Sequence, residues 1–298
     1  MQKNITPRLI PALLAIAFSG AASASGFQLL EQNASGLGNA YAGSAASAEN
    51  ASVQYYNPAA MTQLAGRNVS LGLVLVNTSF ELDNQGSSTG VFTGAGNGGD
   101  AGGLGVLPNA YLSWQVAPEW FVGLGIGAPF GLKTEYNTPW VGSAHSNSFD
   151  IKTYNINPSV AWRASEWISL GAGVSWQKME ATYKKATAAG PVPIPGVGVA
   201  PLYLFNTELD ADDTSWNWNA GVLLTPAEKT KIGLSYRSTT KYTLSGDLST
   251  SGPSPVLARA LSSSAEAEIK LPDTFIFSIS QGLGDKWELR GDISWTGW

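Results

Sequence analysis

The chain reads Ser215-Trp216-Asn217-Trp218-Asn219-Ala220-Gly221-Val222-Leu223-Leu224 along a stretch that alternates between apolar and small polar side chains. One face of this stretch carries Trp, Trp, Ala, Val and Leu, and most of the other face carries Ser, Asn, Asn and Gly. A period of two predicts a β-strand whose two faces meet different surroundings.

The same alternation recurs at 154–163, 168–177 and 287–295. A soluble β-sandwich also alternates, but its solvent face normally carries Lys, Glu and Thr. Here the polar face is mostly Ser, Asn and Gly, which suits a crowded lumen. Tryptophans lie at the ends of the apolar faces, where the aromatic girdles of a membrane barrel belong: Trp114, Trp162, Trp176, Trp216 and Trp295. The pattern therefore favours an all-β transmembrane antiparallel barrel.

Composition supports the same fold class. Charged residues make up 13% of the 298 residues, against about 25% in ordinary soluble domains. The mean hydropathy of -0.01 is too polar for a bundle of transmembrane helices. Eleven Trp and 34 Gly complete a mixture that is typical of strands with one lipid face and one lumen face.

Several classes of function are disfavoured. The chain has no cysteine, which excludes disulfides, thiol nucleophiles and Cys-based zinc sites. Its 17 basic residues are scattered and the net charge is -5, so no electrostatic footprint for nucleic acid is present. We predict no catalytic residue, no metal site and no cofactor.

Residues 1–24 are predicted to be a signal peptide. Lys3 and Arg8 precede an apolar run from Leu9 to Phe18, and Ala22-Ser23-Ala24 fits a cleavage site. The run is too short to span a bilayer. These features predict export, and with the strand pattern they predict a multi-pass protein of the bacterial outer membrane.

Residues 25–66 are rich in Ala, Gly, Ser and Asn, and they predict short helical turns rather than strand. Residues 67–298 predict a barrel in which short turns and long loops alternate. An odd strand count is unusual for a bacterial barrel, so we expect the sequence to be incomplete at its C-terminal end. The nine predicted strands are 68–80, 109–117, 120–128, 149–163, 167–186, 212–225, 230–246, 263–282 (with a bulge or an unpaired position at Pro272) and 286–298.

Three motifs near the N-terminus carry a resemblance to a known family. They are Gly26-Phe27-Gln28-Leu29, the run Ser35-Gly36-Leu37-Gly38-Asn39-Ala40-Tyr41-Ala42-Gly43, and Asn57-Pro58-Ala59. In this combination they are similar to the N-terminal hatch of the FadL/TodX family of outer-membrane transporters. The resemblance implies a fourteen-stranded barrel plugged by that hatch. It also implies uptake of long-chain fatty acids or, in a subfamily, of aromatic hydrocarbons such as toluene.

The resemblance also implies roles for particular residues. Gly26, Phe27, Gln28 and Leu29 are expected to line the ligand pocket, and Asn57, Pro58 and Ala59 to anchor the plug rather than form only a local turn. A lateral opening is expected at a kink in the third strand, with Gly125, Gly127, Pro129, Phe130 and Gly131 as its candidates. The alternative is that the glycines make room for the plug and Pro129 begins a loop. The candidate cations for a fatty-acid carboxylate are Lys178, Lys184, Lys185, Arg163 and Arg237, with Lys178 preferred.

Two other functions stay open on the sequence alone. An outer-membrane phospholipase would pair His145, the only histidine, with Ser143, Ser146 or Ser148. A general porin would conduct small polar solutes. The expected partners of a transporter are hydrophobic small molecules, outer-membrane lipid and lipopolysaccharide, and the protein is expected to be a monomer.

Overall fold

The computed structural model describes residues 26–189, 193–194, 198–199 and 202–298; the predicted signal peptide lies outside the described residues. The short helices are Leu37–Asn39, Val53–Tyr56, Pro58–Gln63, Gly90–Phe92 and Pro255–Ala260. The strands are β1 (Arg67–Asn77), β2 (Leu104–Ala117), β3 (Trp120–Gly127), β4 (Gly131–Glu135), β5 (Ser148–Arg163), β6 (Ile168–Ala189), β7 (Pro193–Ile194), β8 (Gly198–Val199), β9 (Tyr203–Ala227), β10 (Thr230–Arg237), β11 (Thr240–Ser251), β12 (Ser263–Leu271), β13 (Thr274–Leu283) and β14 (Trp287–Thr296).

Twelve of these strands form one antiparallel sheet, which we call the wall. Its order is β1-β2-β3-β5-β6-β9-β10-β13-β14. The other three strands continue interrupted strands of this path. β4 pairs with β5 and continues β3. β11 and β12 pair with each other, and they continue β10 and β13, respectively. The wall therefore has nine strand positions, as predicted, and three of them are interrupted.

The two faces of the wall differ as the alternation predicts. Trp216 and Trp218 are 67% and 50% exposed, whereas Asn217 and Asn219 between and beside them are 6% and 1% exposed. The outward face also exposes Val69, Leu71, Val106, Leu124, Val174 and Ile293. A sheet that buries polar side chains and exposes apolar ones is inverted relative to a water-soluble protein, and it fits a lipid-facing wall around a polar lumen.

Some strand bounds differ from the prediction. The predicted loop 187–211 is largely strand, because β6 runs to Ala189 and β9 begins at Tyr203. The residues of this extension include Glu208 and Asp210, so the apolar period that marks lipid-facing strands is lost there.

The predicted strand 263–282 is interrupted at Pro272 and Asp273, in agreement with an unpaired position at Pro272. The predicted strand 230–246 is interrupted too, at Ser238 and Thr239. These two breaks face each other, because Arg237 pairs with Thr274 and Thr240 pairs with Leu271. A proline cannot donate a ladder hydrogen bond, which accounts for the position of the paired break.

Residues 26–66, called the plug below, lie against the lumen face of the wall. Their short helices and turns bury Ala45, Tyr56, Ala59 and Met61. In the part of the chain that the structure describes, no helix is long and apolar enough to cross a membrane.

Candidate functional site in the lumen

Asn57 joins the plug to the wall. Its side-chain amide nitrogen donates to the carbonyls of Ala45 at 2.7 Å and Val222 at 3.1 Å, and its side-chain oxygen accepts from the amide of Ala59 at 3.0 Å. Asn57 is fully buried. Pro58 begins the helix Pro58–Gln63, where its missing N–H costs nothing. This geometry is more than a local turn, since one side chain links two plug segments to β9.

Two wall glycines allow the plug backbone to approach closely. A Cβ atom on Gly171 would lie 2.3 Å from the backbone nitrogen of Ala59, and one on Gly233 would lie 2.0 Å from the carbonyl oxygen of Ala45. Any side chain at these positions would displace the plug backbone. Sequence reasoning missed both glycines because the chain has 34 glycines and nothing in the sequence marks these two as contact points.

Two of the predicted carboxylate partners hold the plug instead. Arg163 donates to the carbonyl of Thr62, and Arg237 donates to the carbonyl of Tyr55 at 2.9 Å, with its guanidinium 4.6 Å from the Tyr55 ring centre. Burial raises the pKa of Tyr55, and the charge of Arg237 opposes that shift. Arg237 therefore contacts a neutral ring and a carbonyl, both on the plug.

The third strand of the wall is broken between β3 and β4. Gly127 pairs with Asn155, and Gly131 pairs with Lys152. Three residues, 128–130, thus face only two on β5, which is the geometry of a β-bulge. Phe130 keeps one link across the bulge, because its amide donates to the Thr153 hydroxyl at 3.0 Å and its carbonyl accepts from the Thr153 amide at 3.1 Å.

A gap in the wall lies beside this break. Residues 104–109 of β2 pair with β1 only, and β4 pairs with β5 only, so no pairing joins β2 to β4 within the described residues. The gap ends where the amide of Glu135 donates to the carbonyl of Ala101 at 2.9 Å. Pairing between β2 and β3 resumes at Ala110 and Ile126 on the other side. The wall therefore has an opening next to the interrupted third strand.

The N-terminal segment of the plug pairs with the broken strand. The amide of Leu29 donates to the carbonyl of Pro129 at 2.8 Å, and the amide of Gly131 donates to the carbonyl of Phe27 at 3.0 Å. The Gln28 side chain reaches the hydroxyl of Thr274 at 3.1 Å. The structure thus places the predicted pocket residues 26–29 directly against the predicted opening residues 129–131.

Gly125 and Gly127 serve the packing of the lumen. A Cβ atom on Gly125 would lie 3.2 Å from the Tyr111 ring, and one on Gly127 would lie 2.8 Å from the side-chain oxygen of Gln32 in the plug. Gly127 therefore makes room for the plug, in line with the alternative considered above. Pro129 does not begin a loop, because the strand resumes at Gly131.

An apolar cluster fills the lumen beside the break. Phe130, Ile151, Met179, Tyr242, Leu244 and Leu271 form its buried part. Phe27 of the plug packs against it, and the ring centres of Phe27 and Phe130 are 5.9 Å apart. Sequence reasoning missed the wall residues of this cluster. The available signal was an apolar side chain on the polar face, as at Met179, which follows buried Gln177 by two positions.

Between this cluster and the plug helices, the lumen is lined by polar side chains. Asn155, Asn157, Ser175, Gln177 and Asn217 are all buried there. Asn157 donates to Ser175 at 2.9 Å, and Asn217 donates to Thr240 at 2.9 Å. An apolar compound has no matching surface in this region.

The lysines predicted for a carboxylate lie elsewhere. Lys178 shares the outward face of β6 with exposed Val174, and it pairs with Glu180 at 2.8 Å and Asp212 at 3.3 Å. Lys184 pairs with Glu208 at 2.7 Å, and Lys185 lies opposite Thr207 near the end of β6. The preference for Lys178 does not agree with this position, since side chains alternate between faces and the lumen side belongs to Gln177 and Met179.

The geometry offers no support for a phospholipase. The Ser143 hydroxyl accepts from the amide of Trp140 at 2.9 Å, and the backbone carbonyl of His145 accepts from the Tyr183 hydroxyl. Across the described ranges, no hydrogen bond joins the His145 ring to a serine.

Comparison with known proteins agrees with this geometry. Residues 15–298 match the family described as "Outer membrane protein transport protein (OMPP1/FadL/TodX)". The chain belongs to this family. The chain is 31% identical to Outer membrane protein P1 of Haemophilus influenzae strain Rd over 310 residues, which cover 94% of this chain and 67% of that protein. It is 25% identical to the Long-chain fatty acid transport protein of Salmonella typhi, covering 100% of this chain and 71% of that protein.

Among solved structures, the fold is similar to that of a Pseudomonas aeruginosa FadL homologue. The TM-score is 0.74 at 23% sequence identity, covering 91% of this chain and 69% of that one. Members of the OMPP1/FadL/TodX family are outer-membrane transporters of hydrophobic compounds. The protein is accordingly an outer-membrane β-barrel of this transport family, as the resemblance in the plug motifs implied.

Proposed function

We propose that the protein takes up long-chain fatty acids by binding them in the apolar cluster and releasing them sideways through the gap between β2 and β4. One observation carries this proposal: Phe130 belongs to the cluster and also lies in the break of the third strand. An apolar ligand in the cluster would thus already be in contact with the edge of the opening.

The alternative route through the plug is energetically poor. Each methylene that moves from an apolar site to a hydrated one loses about 0.8 kcal/mol. Beyond the cluster the lumen presents buried amides and hydroxyls, and the plug residues Asn57, Ala59 and Met61 are fully buried against the wall. A side exit lets the chain move from the apolar cluster to the lipid without that loss.

Two observations support a fatty acid as the substrate. The curated relative from Salmonella typhi is named as a long-chain fatty acid transport protein. The apolar cluster is also broad, since Phe27, Leu132, Phe149 and Ile269 extend its buried part. The other candidate substrates are monoaromatic hydrocarbons, and the uptake test below distinguishes them from fatty acids.

Deletion of Pro129 tests the exit. It leaves two residues on the third strand opposite two on β5, so β3 and β4 join in one register and the gap closes. We expect uptake of radiolabelled oleate by cells to fall at least tenfold, while binding of oleate to the purified protein is retained.

The matched control is deletion of Ser88 in the exposed loop before the helix Gly90–Phe92, which should leave uptake unchanged. Uptake that survives the loss of Pro129 at the same surface expression would refute the side exit. Toluene uptake measured in the same cells separates the two substrate classes.

A further inference from the structure

The hydroxyl of Tyr242 is a buried polar atom without a partner. Tyr242 is 2% exposed and packs in the apolar cluster with Phe130, Met179 and Leu271. Its hydroxyl makes no hydrogen bond within the described residues. Buried hydroxyls nearly always have a partner, because leaving one without a partner costs about 1–3 kcal/mol.

The carboxylate of Asp213 does not serve this hydroxyl. One oxygen of Asp213 accepts from the amide of Thr243 at 2.8 Å, and the other accepts from the amide of Thr214 at 2.7 Å. Both donors are backbone amides, one in β9 and one in β11, and they stabilise the carboxylate charge. Asp213 therefore has its own partners, and the Tyr242 hydroxyl has none among the described residues.

The cations do not serve the cluster either. Arg163 and Arg237 are bound to plug carbonyls, and Lys178 is on the outward face. Within the described part of the cluster, the Tyr242 hydroxyl is thus a buried hydrogen-bond donor that has no partner.

We infer that Tyr242 determines specificity by donating a hydrogen bond to a terminal oxygen of the bound chain, which selects carboxylated chains over bare hydrocarbons of equal length. This inference rests on the proposed function, because it concerns the same cluster. A carboxyl oxygen supplies the acceptor that the hydroxyl lacks, whereas an alkane or an unsubstituted aromatic ring leaves the hydroxyl without a partner. Sites that carry a buried donor discriminate strongly against ligands without the matching acceptor.

The test compares Tyr242→Phe with the wild-type protein, purified in detergent, using radiolabelled hexadecanoic acid and hexadecane. We expect the variant to bind hexadecanoic acid roughly tenfold more weakly, as loss of one hydrogen bond predicts. Hexadecane should bind equally well or more tightly. The melting temperature should stay the same or rise, since the substitution removes a buried hydroxyl that has no partner.

Tyr154→Phe is the matched control, because it removes the same hydroxyl from a side chain that is 48% exposed on the outward face of β5. It should change neither affinity. If Tyr242→Phe leaves the ratio of the two affinities unchanged, the specificity role is refuted while uptake of fatty acids stands. If the wild-type protein binds neither compound, the proposed function itself fails.

Discussion

At the scale of single residues, the lumen is held together by side chains that donate hydrogen bonds to backbone carbonyls of other segments. Asn57 does this for the plug, and the Gln32 amide does it for the broken strand by donating to the carbonyl of Ala128 at 3.0 Å. Buried carbonyls that lose such donors have no water to replace them. Single substitutions at these points therefore have large and local effects.

Asn57→Ala should destabilise the protein by about 3 kcal/mol, because it leaves the carbonyls of Ala45 and Val222 without this donor. The measurement is thermal unfolding in detergent. Asn39→Ala is the control in the same plug, since Asn39 is exposed and makes one bond to Ala42 at 3.3 Å. Equal melting temperatures for the two variants would contradict the anchoring role.

Gly233→Ala should destabilise the protein by about 2 kcal/mol, because the new methyl group would overlap the carbonyl oxygen of Ala45. Gly291→Ala is the matched strand glycine, since its nearest atom would be 4.0 Å away. Denaturant titration of both variants gives the comparison. A Gly233 variant as stable as the Gly291 variant would show that the plug does not dock there.

The sequence identified Asn57 and Pro58 because they belong to a recognisable motif. It did not identify Tyr242 as a lumen residue. The break at Ser238 and Thr239 reverses the face of every later residue in that strand, so the alternation counted from Gly233 assigns Tyr242 to the wrong side. Lys178 shows the converse limit, since charge alone does not say which face a residue occupies.

At the scale of elements, the alternation predicted nine strand positions and the inverted faces. The alternation alone did not predict the bulge, because one extra residue in a glycine-rich run leaves no mark on composition; the expectation of a kink near Pro129 came from the family resemblance. The length of β9 was also underestimated. The N-terminal part of β9 carries Glu208 and Asp210. These charged residues break the alternation of apolar and small polar side chains by which the strands were recognised.

The pairing between the plug and the broken strand gives a prediction at this scale. Leu29→Pro removes the amide that donates to Pro129, so the short ladder that also protects the amide of Gly131 should weaken. We expect faster hydrogen exchange in peptides that cover residues 128–134. Leu29→Ala keeps the amide and is the control. Equal exchange in both variants would mean that the plug does not support the third strand.

At the scale of the whole molecule, the plug and the polar lumen form one packed body inside an apolar exterior. Arg163, Asn57 and Arg237 each tie the plug to a different strand of the wall. A plugged transporter of this kind therefore differs from a porin in its steady ion conductance.

In planar bilayers the protein should show little steady ion conductance, because the plug is held by several independent contacts. Asn57→Ala should raise the frequency of brief openings without producing a permanently open pore. Single-channel recording at fixed protein concentration measures both quantities. A large steady current through the wild-type protein would instead favour the porin.

The bulge at residues 128–130 amounts to one codon more than a continuous strand would need. A lineage could therefore acquire or lose the bulge, and with it the proposed side exit, in a single in-frame event, with every neighbouring strand left as it was. If the gap serves as the proposed exit, descendants that kept the extra codon would keep a way out while the rest of the lumen varied for new cargo.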